Sequence, residues 1–179
     1  MRLIVGTRGS QLARLQTHWV VTRLRARFPD LEIEERVIQT QGDGVRDRPL
    51  RQIEGRGLFV RRIEEALLAG EIDLAVHSLK DLPTEMPAGL AIGAVPGRED
   101  PRDALVSRGG LPLAKLPAGA VVGTSSRRRA AQLLHLRADL TIRDMRGNVD
   151  SRLRKVEGGG YDAVVMAAAG LVRLGATSR

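Results

Sequence analysis

The chain has 179 residues, 42% of them hydrophobic, and its 29 Lys plus Arg against 21 Asp plus Glu give a net charge of +8. This composition indicates a globular protein of one or two domains with an anionic ligand: nucleic acid, a membrane surface or an acidic small molecule. The absence of cysteine excludes disulfides, a thiolate nucleophile and cysteine metal sites, and three scattered histidines do not suggest a metal site. The longest apolar run is about half a membrane span, so we expect a soluble, cytoplasmic protein without metal.

Hydrophobic periodicity predicts alternating strands and helices along the first half of the chain. The first helix follows Ser10, which can cap it, and Pro29 ends it. The predicted elements are, in order, a strand at 3–6, that helix, a strand at 31–38, a long mobile loop at 39–57, a helix at 58–69, and strands at 73–76 and 90–95.

Three landmarks of the first half return in the same order in the second half. They are a Val-Gly-Thr strand end at 5–7 and 122–124, an Asp-Leu strand start at 30–31 and 139–140, and a strand opened by glycine and aspartate at 70–76 and 160–165. The repeat predicts an α/β protein with two similar domains, 1–96 and 97–179. If these domains faced each other across a cleft, two helix N-termini would point at a ligand between them.

An apolar strand at 73–76 ends in a loop that releases four polar side chains before Pro83. Ligands of open α/β sheets bind at the carboxyl ends of strands, so Asp81 is the leading candidate for chemistry. Less specific interpretations stay open: Asp81 could brace the loop, Lys80 could be an ordinary exposed lysine, and His77 could pack at the strand end.

Arginines precede or begin several predicted helices, where cations oppose the helix dipole. Arg127, Arg128 and Arg129 occupy one first turn, which predicts an anionic ligand nearby; a solvated basic turn is the alternative. Further arginines that could bind an anion lie at Arg146, in the segment 146–148 before a predicted helix, and at Arg152 one turn into that helix. Arg173 lies in the last predicted helix. For Arg8 and Ser10 the alternative is surface charge and local capping, and Glu99, Asp100 and Asp103 are interpreted as hinge braces, not metal ligands.

These motifs, taken together and in order over the whole chain, closely resemble the hydroxymethylbilane synthase family, also called porphobilinogen deaminase. They are Thr7-Arg8-Gly9-Ser10, Gly57-Leu58-Phe59-Val60, Ala75-Val76-His77-Ser78-Leu79-Lys80-Asp81, Arg98-Glu99-Asp100-Pro101-Arg102-Asp103, Val122-Gly123-Thr124-Ser125-Ser126-Arg127-Arg128-Arg129, Arg146-Gly147-Asn148-Val149 and Ala168-Ala169-Gly170-Leu171.

The resemblance implies a tetrapyrrole-pathway transferase that deaminates porphobilinogen and joins four units head to tail on a dipyrromethane primer. It implies two domains resembling type II periplasmic binding proteins, with mixed sheets flanked by helices and the primer in the cleft. Asp81 is the implied catalytic residue. The implied cofactor-binding residues are Lys80, Asp81, Ser126, Arg128, Arg129, Arg146 and Gly147, and the implied substrate-binding residues are Arg8, Ser10, Arg56, Arg146, Asn148, Arg152 and Arg173.

Two departures from the family pattern bear on function. The family usually has lysine at the position of Arg56, and its members continue beyond Arg179 with a third domain whose cysteine carries the primer. We therefore expect a fragment, covering the first domain and most of the second, that is inactive alone. The main alternative is a non-catalytic, two-domain polycarboxylate-binding protein; an RNA-binding module is disfavoured because aromatic residues are scarce. We expect a monomer with no nucleic-acid or membrane partner.

Overall fold

Two α/β units make up the computed structural model, which describes residues 2–39 and 60–177. They comprise Met1–Pro96 and Gly97–Arg179. Within the described ranges, no helix combines the length and the hydrophobicity needed to cross a bilayer.

The first unit contains a parallel sheet of three strands with the order β2-β1-β3. Its elements are β1 (Arg2–Arg8), α1 (Gln11–Arg27), β2 (Glu32–Ile38), α2 (Arg61–Leu68), β3 (Leu74–Ala75) and a 3-10 turn (Leu79–Asp81).

Alternation along β1 divides the apolar core of this unit between the two faces of the sheet. Val5 packs with Val21 of α1 and Ile33 of β2, whereas Ile4 packs on the other face against Ile63 and Ala66 of α2. Fully burying a valine or isoleucine side chain stabilises a fold by about 1.5–3 kcal/mol. The sheet is therefore held between two helices, with its strand ends left to carry polar residues.

The second unit contains a mixed sheet of four strands with the order β4-β7-β5-β6, in which only the β4–β7 pair is antiparallel. Its elements are β4 (Asp103–Ser107), β5 (Val121–Gly123), α3 (Arg127–Leu136), β6 (Thr141–Arg143), α4 (Val149–Glu157), β7 (Ala163–Ala167) and α5 (Ala168–Arg173), with 3-10 turns at Arg108–Gly110 and Leu113–Lys115. Alternate residues of β7 again supply two core clusters, one on each face.

The two units share a scaffold, as the sequence repeat indicates. In each, the first parallel strand lies between the two parallel strands that follow it. The Asp73 carboxylate accepts a hydrogen bond from the Ile4 backbone N–H at 2.7 Å, and the Asp162 carboxylate accepts one from the Val121 N–H at 2.8 Å. Each aspartate thus ties the start of the third parallel strand to the first.

The α/β fold prediction is confirmed, but the predicted strand at 90–95 is wrong. These residues form no strand, and the side chains of Ile92 and Val95 are 50% and 69% exposed. An apolar segment becomes a strand only beside a hydrogen-bonding partner, and within the described residues no strand lies next to this one. The strand predicted at 73–76 is shorter than expected, and the predicted loop at 39–57 lies outside the described residues except for Gln39.

Candidate functional site

The carboxyl ends of β1 and β3 bring Arg8 and Asp81 together in the first unit. Arg8 ends β1, and its Nη1 atom lies 3.8 Å from Oδ2 of Asp81 in the 3-10 turn. The Arg8 side chain is 14% exposed and the Asp81 side chain 32%, so the arginine is covered while the carboxylate still reaches solvent. Lys80 is exposed in the same turn, and Ser10 caps α1 by accepting a hydrogen bond from the Ala13 N–H at 3.3 Å.

His77 and Ser78 precede the turn that carries Asp81. Burial lowers the pKa of His77 below its ordinary value of 6.5; the Asp81 charge raises it in part, and the Arg8 charge lowers it further. The Ser78 hydroxyl donates to the Gln16 side-chain carbonyl of α1 at 3.1 Å. His77 is therefore favoured in its neutral form.

In the second unit, the first turn of α3 carries the three predicted arginines. Ser126 caps this helix, since its hydroxyl accepts a hydrogen bond from the Arg129 N–H at 3.4 Å, and the buried Thr124 hydroxyl accepts one from the Ser126 N–H at 3.2 Å. The first turn contains no acidic residue. Each exposed cation there costs about 0.3–1 kcal/mol against the dipole, so an anion bound nearby would be stabilised.

Asp103, the first residue of β4, contacts two of these arginines. Its Oδ1 accepts from Arg129 Nη2 at 2.6 Å and its Oδ2 from Arg128 Nη2 at 2.8 Å. The Arg129 hydrogen bond is the largest cause that lowers the pKa of Asp103, and the Arg128 bond lowers it further while burial opposes both. The hinge-brace interpretation missed this contact, because it joins residues 26 positions apart whose proximity depends on the β4–β7 register.

Arg146, Gly147 and Asn148 precede α4, and Arg152 extends back toward them. Arg152 Nε donates to the Gly147 carbonyl at 2.7 Å, and Gly147 has a φ of 114°, in the region that favours glycine. Burial is the main cause that lowers the pKa of Arg152, and the charges of Arg129 and Arg146 lower it further. The Arg152 guanidinium is therefore repelled by two others, those of Arg129 and Arg146.

The structure brings together some predicted site residues and leaves others apart. Arg8, Lys80 and Asp81 cluster in the first unit, and Arg128, Arg129, Arg146 and Arg152 cluster with Ser126 and Gly147 in the second. Asn148 is the residue before α4, although its side chain makes no capping hydrogen bond. Arg173 is exposed in the last turn of α5. Arg56 lies outside the described residues.

The donor set of the second unit suits a ligand with several carboxylates. Guanidinium groups bind carboxylates with paired hydrogen bonds, and Arg129 carries a buried Nε with no hydrogen-bond partner among the described residues. A carboxylate placed there would satisfy that donor and reduce the repulsion among the arginines. In the part of the chain that the structure describes, no group of three His, Asp or Glu side chains could hold a metal ion.

Comparison with known families identifies the chain through residues 3–179, which match the profile described as "Porphobilinogen deaminase, dipyromethane cofactor binding domain". The chain belongs to the porphobilinogen deaminase family. The porphobilinogen deaminase of Roseiflexus sp. (strain RS-1) is 58% identical over 173 residues, and that of Pelobacter propionicus is 54% identical over 178. These alignments cover 97% and 99% of this chain, but 57% of each relative. The chain thus spans little more than half the length of the curated relatives it matches.

A solved structure supports the fold predicted for this family. The probable amino-acid ABC transporter extracellular-binding protein ytmK from Bacillus subtilis has a TM-score of 0.52 at 12% identity, and the alignment covers 99% of this chain and 75% of that protein. This likeness concerns the fold alone and supports the prediction of domains like those of type II periplasmic binding proteins. The matched profile also makes dipyrromethane the cofactor to test against these residues, and the buried Nε of Arg129 fits a carboxylate-bearing group.

Proposed function

We propose that this chain provides the porphobilinogen-binding and dipyrromethane-binding parts of a hydroxymethylbilane synthase, which deaminates porphobilinogen and joins four units head to tail. The observation that carries the proposal is the partly exposed Asp81 carboxylate beside Arg8, in a chain of the porphobilinogen deaminase family. The non-catalytic binding protein is disfavoured because relatives at 54–58% identity bear the name of the enzyme. The expectations of a monomer and of a cytoplasmic location belong to this proposal.

Asp81 would stabilise the positive charge that develops on the substrate during deamination. When the aminomethyl C–N bond of porphobilinogen breaks, ammonia leaves and positive charge develops on the pyrrole ring. A carboxylate in a partly sheltered site lowers the energy of that charge, and it can accept a hydrogen bond from a pyrrole N–H. Arg8 lies within ion-pair distance of the Asp81 carboxylate and can attract a substrate carboxylate, because each pyrrole unit carries an acetate and a propionate.

The arginines of the second unit would hold the carboxylates of the bound pyrroles. When bound, dipyrromethane supplies the pyrrole to which the first substrate unit is joined. We propose that Lys80, Asp81, Ser126, Arg128, Arg129, Arg146 and Gly147 contact the cofactor. Arg8, Ser10, Arg56, Arg146, Asn148, Arg152 and Arg173 are proposed to contact substrate. This chain has no cysteine, so its own residues would bind the cofactor without a covalent bond.

The experiment is a turnover assay on two proteins: the 179-residue chain, and a chimera in which it replaces the matching part of the Roseiflexus relative. The chimera supplies the length that this chain does not cover. We expect the chimera to release ammonia from porphobilinogen and to form a linear tetrapyrrole, and the chain alone to bind porphobilinogen without turnover. A folded chimera that binds porphobilinogen but releases no ammonia would contradict the proposal and favour the binding protein.

A further inference from the structure

Asp103 has the geometry of a template for two guanidinium groups. One carboxylate holds Arg129 Nη2 at 2.6 Å and Arg128 Nη2 at 2.8 Å, one on each oxygen, so the two arginines are spaced by the width of a single carboxylate. The other ends of the guanidinium groups are fixed too, because Arg129 Nη1 donates to the Val165 carbonyl at 3.3 Å and Arg128 Nη1 to the Gln132 side chain at 2.9 Å.

Arg128 and Arg129 differ in how far their side chains are exposed to solvent. The Arg129 side chain is 14% exposed, whereas that of Arg128 is 61% exposed. Without a negative partner, the buried Arg129 would face the charge of Arg152, and only a neutral carbonyl would set its orientation. Charge-assisted hydrogen bonds are strong and directional, so the contact with Asp103 is the one that can fix the guanidinium groups of both arginines.

We infer that Asp103 is a positioning residue, which acts through Arg128 and Arg129 by holding their guanidinium groups in register to receive the carboxylates of a pyrrole ligand. The inference rests on the proposed function for the identity of the ligand, but the orientation of the arginines can be measured without it. Asp103 itself is occupied on both oxygens and does not contact ligand in this scheme.

The first measurement is NMR of the 179-residue chain with ¹⁵N-labelled arginine. A fixed guanidinium gives separate signals for its two Nη groups, and these merge when it rotates. We expect separate Arg129 signals in the unsubstituted chain, merged signals in Asp103→Asn, and separate signals in the matched control Asp100→Asn. The control removes the same charge three residues earlier from a carboxylate bonded to Arg102. Unchanged Arg129 signals in Asp103→Asn would overturn the inference. If that variant does not fold, Asp103→Thr, which suits a strand, replaces it.

The second measurement compares two anions that bind the 179-residue chain: free dipyrromethane with its acetate and propionate groups, and sulfate. Loss of the fixed register is expected to raise the Kd for dipyrromethane about tenfold, the lower end for a charge-assisted hydrogen bond. Sulfate does not need two aligned guanidinium groups, so its Kd is expected to stay level or fall about threefold because one negative charge is gone. Asp103→Glu, which keeps the charge, should recover most of the dipyrromethane affinity.

The two anions separate positioning from other roles. Tighter binding of both anions would make Asp103 a simple counter-charge, and parallel weakening of both would make it a structural residue; each result overturns the inference. If the unsubstituted chain binds no dipyrromethane, the cofactor-binding part of the proposed function fails, while the Arg129 signals still decide whether Asp103 positions the arginines.

Discussion

Replacing Asp81 with asparagine tests the assigned chemistry most directly. Asparagine keeps the size of the side chain and an oxygen that can accept a pyrrole N–H, but it removes the negative charge. If Asp81 stabilises positive charge that develops during deamination, the rate of ammonia release should fall far more than the affinity for porphobilinogen. The reason is that only the reacting molecule carries the extra charge.

The structure sets the scale of this effect. Arg8 Nη1 lies 3.8 Å from the Asp81 carboxylate, and at such a distance two unit charges attract by about 4 kcal/mol for an effective dielectric constant of about 20. A cation that develops on the open side of Asp81 at a similar distance would feel a comparable attraction. The Asp81 side chain is 32% exposed, so screening by water reduces this to roughly 2–3 kcal/mol. Since about 1.4 kcal/mol is tenfold in rate, we expect about a hundredfold loss.

The assay is single-turnover ammonia release in the chimera, with porphobilinogen affinity measured separately by calorimetry. We expect Asp81→Asn to react about a hundred times more slowly and to bind porphobilinogen within about threefold of the unsubstituted protein. Asp30→Asn, which removes the charge of an exposed turn residue in the same unit, is the control and should change neither quantity. Equal losses of rate and affinity in Asp81→Asn, or no loss of rate, would refute the assigned role.

Further predictions concern the scaffold. Asp162→Ala and Asp73→Ala should each lower the free energy of unfolding by about 1.5–3 kcal/mol in urea titrations, because a strand N–H loses a charged acceptor; no loss in either would contradict that account. Gly147→Ala should lower the free energy of unfolding more than Gly175→Ala does. Both glycines have positive φ, but only at Gly147 would the added Cβ collide with a neighbour, the Ser151 side chain. Equal losses would show that this collision does not matter. Because the pKa of His77 is lowered, only the unfolded state takes up this proton just below pH 6.5, so stability should decline there as the pH falls, and less so in His77→Gln. Identical pH profiles would exclude His77 as the cause.

Local signals in the sequence identified much of the fold. Ser10 and Ser126 both cap helices where the pattern predicted helix starts, because capping depends only on residues within one turn. The strand predicted at 90–95 failed for the opposite reason. Leu90 and Ile92 have the composition of a strand, but a strand also needs a hydrogen-bonding neighbour, which no local pattern can specify.

The candidate site shows the same limit. Arg127, Arg128 and Arg129 stood out because three cations in a first turn conflict with the helix dipole, a conflict that is visible in the sequence alone. The role of Asp103 was not visible. Its contact with Arg129 requires β4 to run antiparallel to β7 with Asp103 opposite Ala167, a register that only the folded chain establishes. The sequence therefore indicates the cluster of cations but not the carboxylate that contacts two of them.

The repeat within this chain duplicates the scaffold but not the chemistry. Gly6 and Gly123 occupy matching places, where an added Cβ would collide with the buried Ile72 or Met145, and each is followed by a buried threonine. Beyond that shared strand end the units diverge: the first presents a carboxylate beside one arginine, and the second presents a cluster of arginines around α3 and α4. The first unit thus offers a negative group and the second a cluster of positive groups. The proposed reaction would use both kinds of charge, because it develops a cation on a substrate that carries two carboxylates.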